Sequence, residues 1–376
     1  MTEARRLVAR WIGWSPVPIW GTAPVERLRR SLARAGVWDA GPWTGRVPPE
    51  GGAVLLLRGD HVYDDALMAA LVETPDLVVV RGDGLPVAAH VPRDRAEEIA
   101  ASLSQGRDPP VDLPRRRGRD VVAPVLLRRR ARPGPLVMPV SAELKEAVEN
   151  RLFAIASPAT TDVVARVVWP RPARALARFA AGLRLSPNHV SWISLMLAVL
   201  AALLFHAGVL GAGLLAAWSM SLVDAVDGKL ARLTLSFSQV GAGLGRALAL
   251  LHPPLWWWAW WAGGGGDAVT MAVLVAGSLA IPGIEALFVW RHGFPLHEWR
   301  RFDSLFRLVA ANRNILLLSL SAGWLIGKPD MGFRGASFWL LATLAVLALR
   351  LAQAWRSPPE SWLAERDWKA AEPPPI

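Results

Sequence analysis

The sequence contains no cysteine. Disulfide bonds, thiolate nucleophiles and cysteine-based zinc sites are therefore excluded. Acidic residues are outnumbered, because 31 Asp and Glu stand against 42 Lys and Arg, a formal net charge of +11. Such a balance is typical of proteins that contact nucleic acid or an anionic membrane surface. The first residues, Met1 to Arg6, are not followed by an apolar segment, so we expect no signal peptide and a first half that stays in the cytosol.

Hydrophobic residues make up 53% of the chain, and they are concentrated after Pro187. This distribution favours a membrane over nucleic acid as the partner of the positive charge. We predict an all-α polytopic membrane bundle of about six transmembrane helices, each of about 17–25 residues. The predicted spans lie near residues 190–205, 210–226, 240–261, 268–290, 315–326 and 336–354.

The charges between the predicted spans indicate their orientation. Loops on one side carry seven basic residues, whereas loops on the other side carry only Lys328 and Arg334. The positive-inside rule then places the N-terminal half, the C-terminus and the stretch from Asp224 to Arg232 in the cytosol. The tryptophan cluster at residues 256–261 falls at the opposite interface, as an aromatic belt or as part of the core.

The first half has the pattern of an α/β domain. A helix is predicted at 24–36 and another at 66–72, and buried strands at 53–57, 77–80 and 86–91. This half resembles sugar-phosphate nucleotidyltransferases, in which the position of Asp60 binds a metal ion. The Gly-rich triphosphate loop of that family is absent, because residues 11–20 read WIGWSPVPIW. We therefore expect a degenerate domain over 1–105, with a structural or regulatory role.

Three further segments complete the predicted organisation. Residues 106–140 form a basic Pro/Arg linker, either a solvated tether or an attachment to anionic lipids. Nucleic-acid binding is disfavoured there, because no aromatic residues are interleaved with the arginines. Residues 141–185 suit amphipathic helices in the membrane interface, interrupted near Pro170 and Pro172. The transmembrane domain spans 186–356, and 357–376 form a C-terminal tail.

Asp224 and Asp227 stand three residues apart near the end of the second predicted span. Positions i and i+3 share one helix face. An ionised Asp at a membrane boundary costs about 2.5–3.5 kcal/mol on insertion scales, which makes both residues functional candidates. Their hard oxygens suit Mg²⁺ or Mn²⁺, ions that recruit phosphates.

The surrounding pattern resembles that of CDP-alcohol phosphotransferases, D-x-x-D-G-x-x-A-R-(x)8-G-x-x-x-D-x-x-x-D. Pro187 and Asn188, before the first span, match the family's usual entry. The resemblance implies metal-binding aspartates that hold the pyrophosphate of a CDP-linked donor, glycines that allow its close approach, and an arginine that offsets phosphate charge. An alcohol then attacks phosphorus and releases CMP. Matching residues are Asp224, Asp227, Gly228, Ala231, Arg232 and Gly241.

The last two carboxylates of the pattern are missing, because Gly245 and Ala249 stand in their places. Loss of a general base typically costs about 10²–10⁴-fold in rate. His252 lies within roughly 60° of both positions on a helix, and it would serve as a substitute base or cap the helix end. Further candidates are Glu285, whose alternative is pairing with an arginine, and His297, Glu298 and Asp303 in the basic loop at 291–307.

Two functions follow as expectations. The first is transfer of a substituted phosphate from CDP-diacylglycerol or a CDP-alcohol to an alcohol or phospho-alcohol, with Mg²⁺ or Mn²⁺ as the implied cofactor. The alternative is an impaired relative that binds CDP-lipid or serves as a structural or regulatory membrane subunit. The lipid bilayer is the expected environment, nucleic acid is not an expected partner, and the resemblance implies a homodimer.

Overall fold

The computed structural model describes residues 7–47, 52–109, 113–122, 136–157, 161–236 and 239–356. The predicted tail, 357–376, and residues 123–135 of the predicted linker lie outside these ranges. The chain divides into two compact units, the first formed mainly by residues up to Ser157 and the second mainly by residues beyond it. We call them the α/β unit and the helical unit.

The α/β unit contains a mixed sheet of six strands in the order β2-β1-β3-β6-β5-β7. Strand β1 pairs in parallel with β2 and β3, β6 pairs antiparallel with β3 and β5, and β7 pairs in parallel with β5. Two short strands, β4 and β8, form a separate antiparallel pair. The strands are β1 (Leu7–Ile12), β2 (Ala40–Pro42), β3 (Ala53–Arg58), β4 (His61–Tyr63), β5 (Leu77–Val80), β6 (Pro86–Pro92), β7 (Arg115–Arg117) and β8 (Val137–Pro139).

Helices cover both faces of this sheet. Leu55 and Leu57 of β3 pack in one core cluster with residues of the first two helices, whereas Val54 and Leu56 pack in another with residues of the third. A strand buried on both faces has no polar alternation, which explains the apolar run at 53–57. The helices are α1 (Pro24–Arg34), α2 (Asp65–Glu73), α3 (Ala96–Gln105), α4 (Gly118–Val121) and α5 (Lys145–Ala156).

The predicted α/β class is confirmed for this unit, and the structure adds elements that patterning did not predict. Strand β1 lies beside β3 although it contains Arg10, whose guanidinium pairs with Asp39 at 2.9 Å. Part of the predicted linker 106–140 is folded, because β7 and β8 both belong to sheets. The side chains of β7 are all exposed arginines, and charge of this kind discourages edge-to-edge association.

The helical unit consists of helices joined by short connections. A 3-10 turn, Leu296–Glu298, follows the helix that ends at His292. The helices are α6 (Val163–Val167), α7 (Pro170–Gly182), α8 (Pro187–His206), α9 (Leu210–Thr234), α10 (Gln239–Ala262), α11 (Ala268–His292), α12 (Arg301–Phe306), α13 (Arg313–Leu325) and α14 (Pro329–Trp355).

Four helices of the described residues, α8, α9, α11 and α14, are long and apolar enough to cross a membrane. All six predicted segments are helical, but six spans are not confirmed. Helix α10 has 24 residues and is not among the four. Helix α13 has 13 residues, about 20 Å at 1.5 Å per residue, against a hydrocarbon core of about 30 Å.

Two local predictions have clear outcomes. The break expected near Pro170 occurs, because α6 ends at Val167 and Pro170 is the first residue of α7. The tryptophan cluster of α10 is mainly core, because Trp256, Trp257 and Trp260 are at most 2% exposed. Core packing, rather than an aromatic belt, therefore describes these three residues.

Candidate functional site

The aspartates of α9 have different partners. The Asp224 carboxylate accepts a hydrogen bond from Nη2 of Arg313 at 2.8 Å, an ion pair to the first turn of α13. The Asp227 carboxylate accepts from the Ser191 hydroxyl at 2.5 Å. Ser191 lies on α8, one turn after Pro187, where the helix begins. Sequence spacing identified the two acids but neither partner, because both partners lie on other helices.

A cavity of about 340 Å³ opens beside Asp224, inside the helical unit. Its lining combines charged and aromatic side chains from α9 to α14, which is the composition of a small-molecule site. Trp256, Leu316 and Leu340 contribute apolar walls. The polar lining residues are Asp224, His252, Ser278, Glu285, His297, Asp303, Arg307, Asn312, Arg313 and Thr343.

His252 lies in this cavity together with Ala249, on the same stretch of α10. Its Nδ1 is 2.6 Å from the carbonyl oxygen of Leu248. A carbonyl only accepts, so Nδ1 carries the proton in the neutral ring and Nε2 keeps a lone pair. Nε2 is buried and has no hydrogen-bond partner among the described residues. Nε2 is thus the unprotonated nitrogen of the neutral ring.

Two residues that line the cavity each carry a buried donor without an acceptor in the described part of the chain. The donors are Nε of Arg313 and Nδ2 of Asn312. The Asn312 side-chain oxygen caps α13 through the backbone N–H of Ile315 at 3.3 Å, which fixes the amide. A buried donor left unpaired costs about 1–3 kcal/mol. The pair therefore marks the place where an acceptor-rich ligand would gain most.

A buried network holds the start of α13. Nδ2 of Asn314 donates to both carboxylate oxygens of Asp162 at 3.0 Å, and Asn314 Oδ1 accepts from the Ser221 hydroxyl. Asp162 also caps α6 by accepting from the N–H of Ala165 at 2.9 Å. Ser221 lies one turn before Asp224, so the network fixes α9 and α13 around the ion pair. Sequence reasoning did not find Asp162 or Ser221.

The other acids of the cavity are also paired. Glu285 on α11 forms an ion pair with Arg307 at 2.6 Å, so pairing with an arginine is what the structure shows. Asp303 accepts from Arg350 at 2.6 and 2.7 Å. Burial and the neighbouring Arg307 lower the pKa of His297 below its usual range, although Glu285 opposes them. His297 is therefore neutral at pH 7.

Other residues of the family pattern lie on the same helices but do not line the described cavity. Gly228 and Arg232 are exposed on α9, and Ala231 is half-buried there. Gly241 and Gly245 lie in the first turns of α10. Of the pattern's positions, the cavity lining thus contains Asp224 and Ala249, together with the suggested substitute His252.

The donor set does not fit the pair of metal ions that the resemblance implies. Gly245 and Ala249 stand in place of two of the four expected carboxylates, and Asp224 is already paired with the guanidinium of Arg313. Among the described residues, no group of three or more His, Asp or Glu side chains is placed to hold a metal ion. Two divalent ions clamped between Asp224 and Asp227 alone would lack the ligand charge that such sites use.

Asp60 in the α/β unit is held by its neighbours. Its carboxylate accepts from Nε and Nη2 of Arg58 at 2.9 and 2.5 Å and lies 2.7 Å from Nδ1 of His61. Burial alone would raise the pKa of Asp60, but these hydrogen bonds and charges outweigh it and hold the pKa well below its usual range. Both oxygens are thus engaged within the protein.

No protein-family model matches the chain, and no curated protein matches it.

Proposed function

We propose that the protein is an integral membrane phosphotransferase of the CDP-alcohol type. It binds CDP-diacylglycerol or a CDP-alcohol, transfers the substituted phosphate to an alcohol, and releases CMP. The observation that carries the proposal is the cavity beside Asp224, which gathers Arg313, Asn312 and His252 in one place. Four candidate spans support the membrane location. The excess of basic loop residues supports a cytosolic α/β unit and a cytosolic site.

The side chains have distinct roles in the proposed reaction. Arg313 and Asn312 donate hydrogen bonds to phosphate oxygens, and Asp224 orients Arg313. The alcohol oxygen attacks the phosphorus that bears the substituent while His252 Nε2 accepts the hydroxyl proton. The bond from that phosphorus to the bridging oxygen breaks, and CMP leaves with the electron pair. General base assistance of this kind contributes about 10²–10⁴-fold.

The acceptor would enter beside the basic loop at 291–307. Arg307 lines the cavity with its partner Glu285, and His297 lies next to them. A phosphate on an acceptor such as a glycerol or inositol phosphate would pair with such a cation. The alternative role of these charges is orientation in the membrane, which needs no ligand.

Purified protein in detergent, given CDP-diacylglycerol and a set of alcohols and phospho-alcohols, is expected to release CMP. Asp224→Ala, which leaves Arg313 without its partner, is expected to abolish release, and His252→Gln to lower the rate by about 10²–10⁴-fold. Asp330→Ala, an aspartate of the helical unit outside the cavity lining, serves as the matched control. Equal background release by the wild type and Asp224→Ala would refute transfer.

Binding without turnover is the second candidate function, and the Asp224–Arg313 ion pair favours it. With Gly245 and Ala249 in place of acids, the site would hold a CDP-lipid as a regulatory or structural subunit. The double variant Gly245→Asp/Ala249→Asp separates the two candidates. A large gain in CMP release would indicate an eroded site, whereas loss of an existing activity would indicate chemistry that uses His252.

A further inference from the structure

Arg313 lies beside Asp224, where the family resemblance implies a divalent cation. It lies 2.8 Å from Asp224, the first acid of the motif, and its side chain is 20% exposed. A divalent ion at Asp224 would have to displace the guanidinium or lie beside it against like charge. The acids that would offset this repulsion are replaced by Gly245 and Ala249. The protein therefore already supplies a cation to this carboxylate.

The guanidinium has unused hydrogen-bonding capacity. Its Nη2 donates to Asp224 and its Nη1 contacts the sulfur of Met220 at 3.4 Å, but Nε has no partner among the described residues. Nδ2 of the adjacent Asn312 also has no hydrogen-bond partner among the described residues. Both atoms belong to residues that line the cavity. Two unpaired N–H donors beside a fixed positive charge are complementary to the oxygens of a phosphate.

The two donors are held in place before any ligand arrives. Asn312 is fixed as the cap of α13, Arg313 by Asp224, and the first turn of α13 by the bonds from Asn314 to Asp162. Little side-chain entropy is then lost on binding, which favours affinity. A site assembled in this way needs no metal ion to organise it.

We propose that Arg313 takes the place of the divalent cation, so that this cavity binds a phosphate group through Arg313 and Asn312 without a metal ion. The identity of the ligand as a CDP-linked donor rests on the proposed function, whereas the metal-independent phosphate site does not. The substrate class is thus a phosphate or pyrophosphate whose charge is met by a guanidinium.

The test titrates full-length protein in detergent with CDP and, separately, with inorganic pyrophosphate, by calorimetry. Each titration is made in EDTA and in excess Mg²⁺. Wild-type protein is expected to bind in EDTA, with no tightening of its dissociation constant by Mg²⁺. Arg313→Gln is expected to weaken binding by about tenfold or more, because a charge-assisted hydrogen bond and its charge are lost.

Two further variants separate the site from general charge and from misfolding. Arg313→Lys keeps the charge but loses the planar fork, and an intermediate loss is expected. Arg334→Gln removes an equal charge at a position 65% exposed and outside the cavity lining, and no change is expected. If Arg334→Gln weakens binding as much as Arg313→Gln, the proposal is wrong. The wild-type comparison in EDTA and Mg²⁺ needs no variant to fold.

The outcomes distinguish this inference from the proposed function. Binding of CDP only with Mg²⁺ would overturn the metal-independent site and leave the phosphotransferase proposal standing. Binding of pyrophosphate in EDTA through Arg313, without binding of CDP, would support the site and remove the CDP-linked donor. Failure of both probes in both buffers would overturn both proposals.

Discussion

Among the ion pairs of the described residues of the helical unit, the most buried joins Asp303 and Arg350. Their side chains are 1% and 10% exposed, and Arg350 also lies over the ring of Trp299 at 4.3 Å. We expect Asp303→Asn to destabilise the unit by about 3–5 kcal/mol, since it leaves a buried guanidinium without its counter-charge. Asparagine keeps an acceptor for the backbone N–H of Arg300, so the hydrogen bond at the start of α12 is retained in this variant. Unfolding in mixed detergent measures the change.

The control for this prediction is the surface pair Asp267 and Arg334, whose side chains are 42% and 65% exposed. Arg334→Gln is expected to cost less than about 1 kcal/mol, because exposed pairs are screened by water. The double variant Asp303→Leu/Arg350→Met is expected to recover part of the loss of Asp303→Asn. Equal effects at the buried and exposed pairs would contradict the role of burial.

Asp60 gives a prediction about pH in the α/β unit. Its pKa is lowered in the folded state, so its contribution to stability is present above the ordinary Asp pKa, about 3.9, and is lost as pH falls toward the folded pKa. We expect Asp60→Asn to increase hydrogen exchange in β3 and β4 at pH 7. The difference from wild type should shrink as pH falls below about 4. An unchanged difference across this range would show that the charge of Asp60 does not stabilise these strands.

At the scale of single residues, sequence spacing identified Asp224, Asp227 and His252 but not their surroundings. Periodicity reports which residues of one helix share a face, and Asp224 and Arg313 are 89 positions apart. Ser191 is an ordinary polar residue in the sequence, and only packing makes it a partner of the site. The one pairing that was anticipated, Glu285 with an arginine, follows from the cost of a lone charge in an apolar helix.

Among the elements, α13 and α14 approach each other through glycines. A Cβ added to Gly323 would lie 2.5 Å from backbone atoms of Gly332, closer than real Cβ contacts. We expect Gly323→Ala to cost about 1–3 kcal/mol, because the helices must separate. Gly283→Ala in α11 is the matched control, since a Cβ there meets nothing within 4 Å. It is expected to be neutral or stabilising by up to about 1 kcal/mol.

Detergent unfolding of both glycine variants measures this prediction. Equal stability of Gly323→Ala and Gly283→Ala would contradict the close approach. Helix α13 has 13 residues and packs closely against α14, so this contact helps to hold its register. A shift of α13 would also move Asn312 and Arg313, which lie at its start.

The elements that patterning predicted are those with strong local signals. Strands β3, β5 and β6 are apolar runs, and α1 has a proline at its start and alternating buried and exposed faces. Strand β1 was missed because Arg10 interrupts its apolar residues, and only the distant Asp39 makes that charge acceptable. Strand β7 was missed because three arginines in a row carry no strand signal. Its partner β5 supplies the pattern of hydrogen bonds.

For the whole molecule, charge distribution predicts an orientation, and helix length bears on the number of spans. These two observations disagree. The charge distribution fits six membrane crossings, whereas only four helices of the described residues are long and apolar enough to cross. Helix α10 packs tightly against α8 and α11, and the short helix α13 packs tightly against α14. Both α10 and α13 therefore belong to the bundle. In membranes such helices are tolerated where neighbouring helices cover their polar groups. The charge distribution therefore predicts six crossings, whereas helix length and composition predict four.

The absence of cysteine makes the number of crossings directly testable, because single cysteines would be the only labelled thiols. We choose three exposed positions, Ala262→Cys at the end of α10, Leu305→Cys in α12 and Lys328→Cys before α14. If α10 and α13 both cross the membrane, positions 262 and 328 lie on one side and 305 on the other. If only α8, α9, α11 and α14 cross, 305 and 328 lie on one side and 262 on the other. A membrane-impermeant maleimide applied to sealed vesicles reports the grouping, and we expect 262 with 328, because the arginines around 305 favour the cytosol.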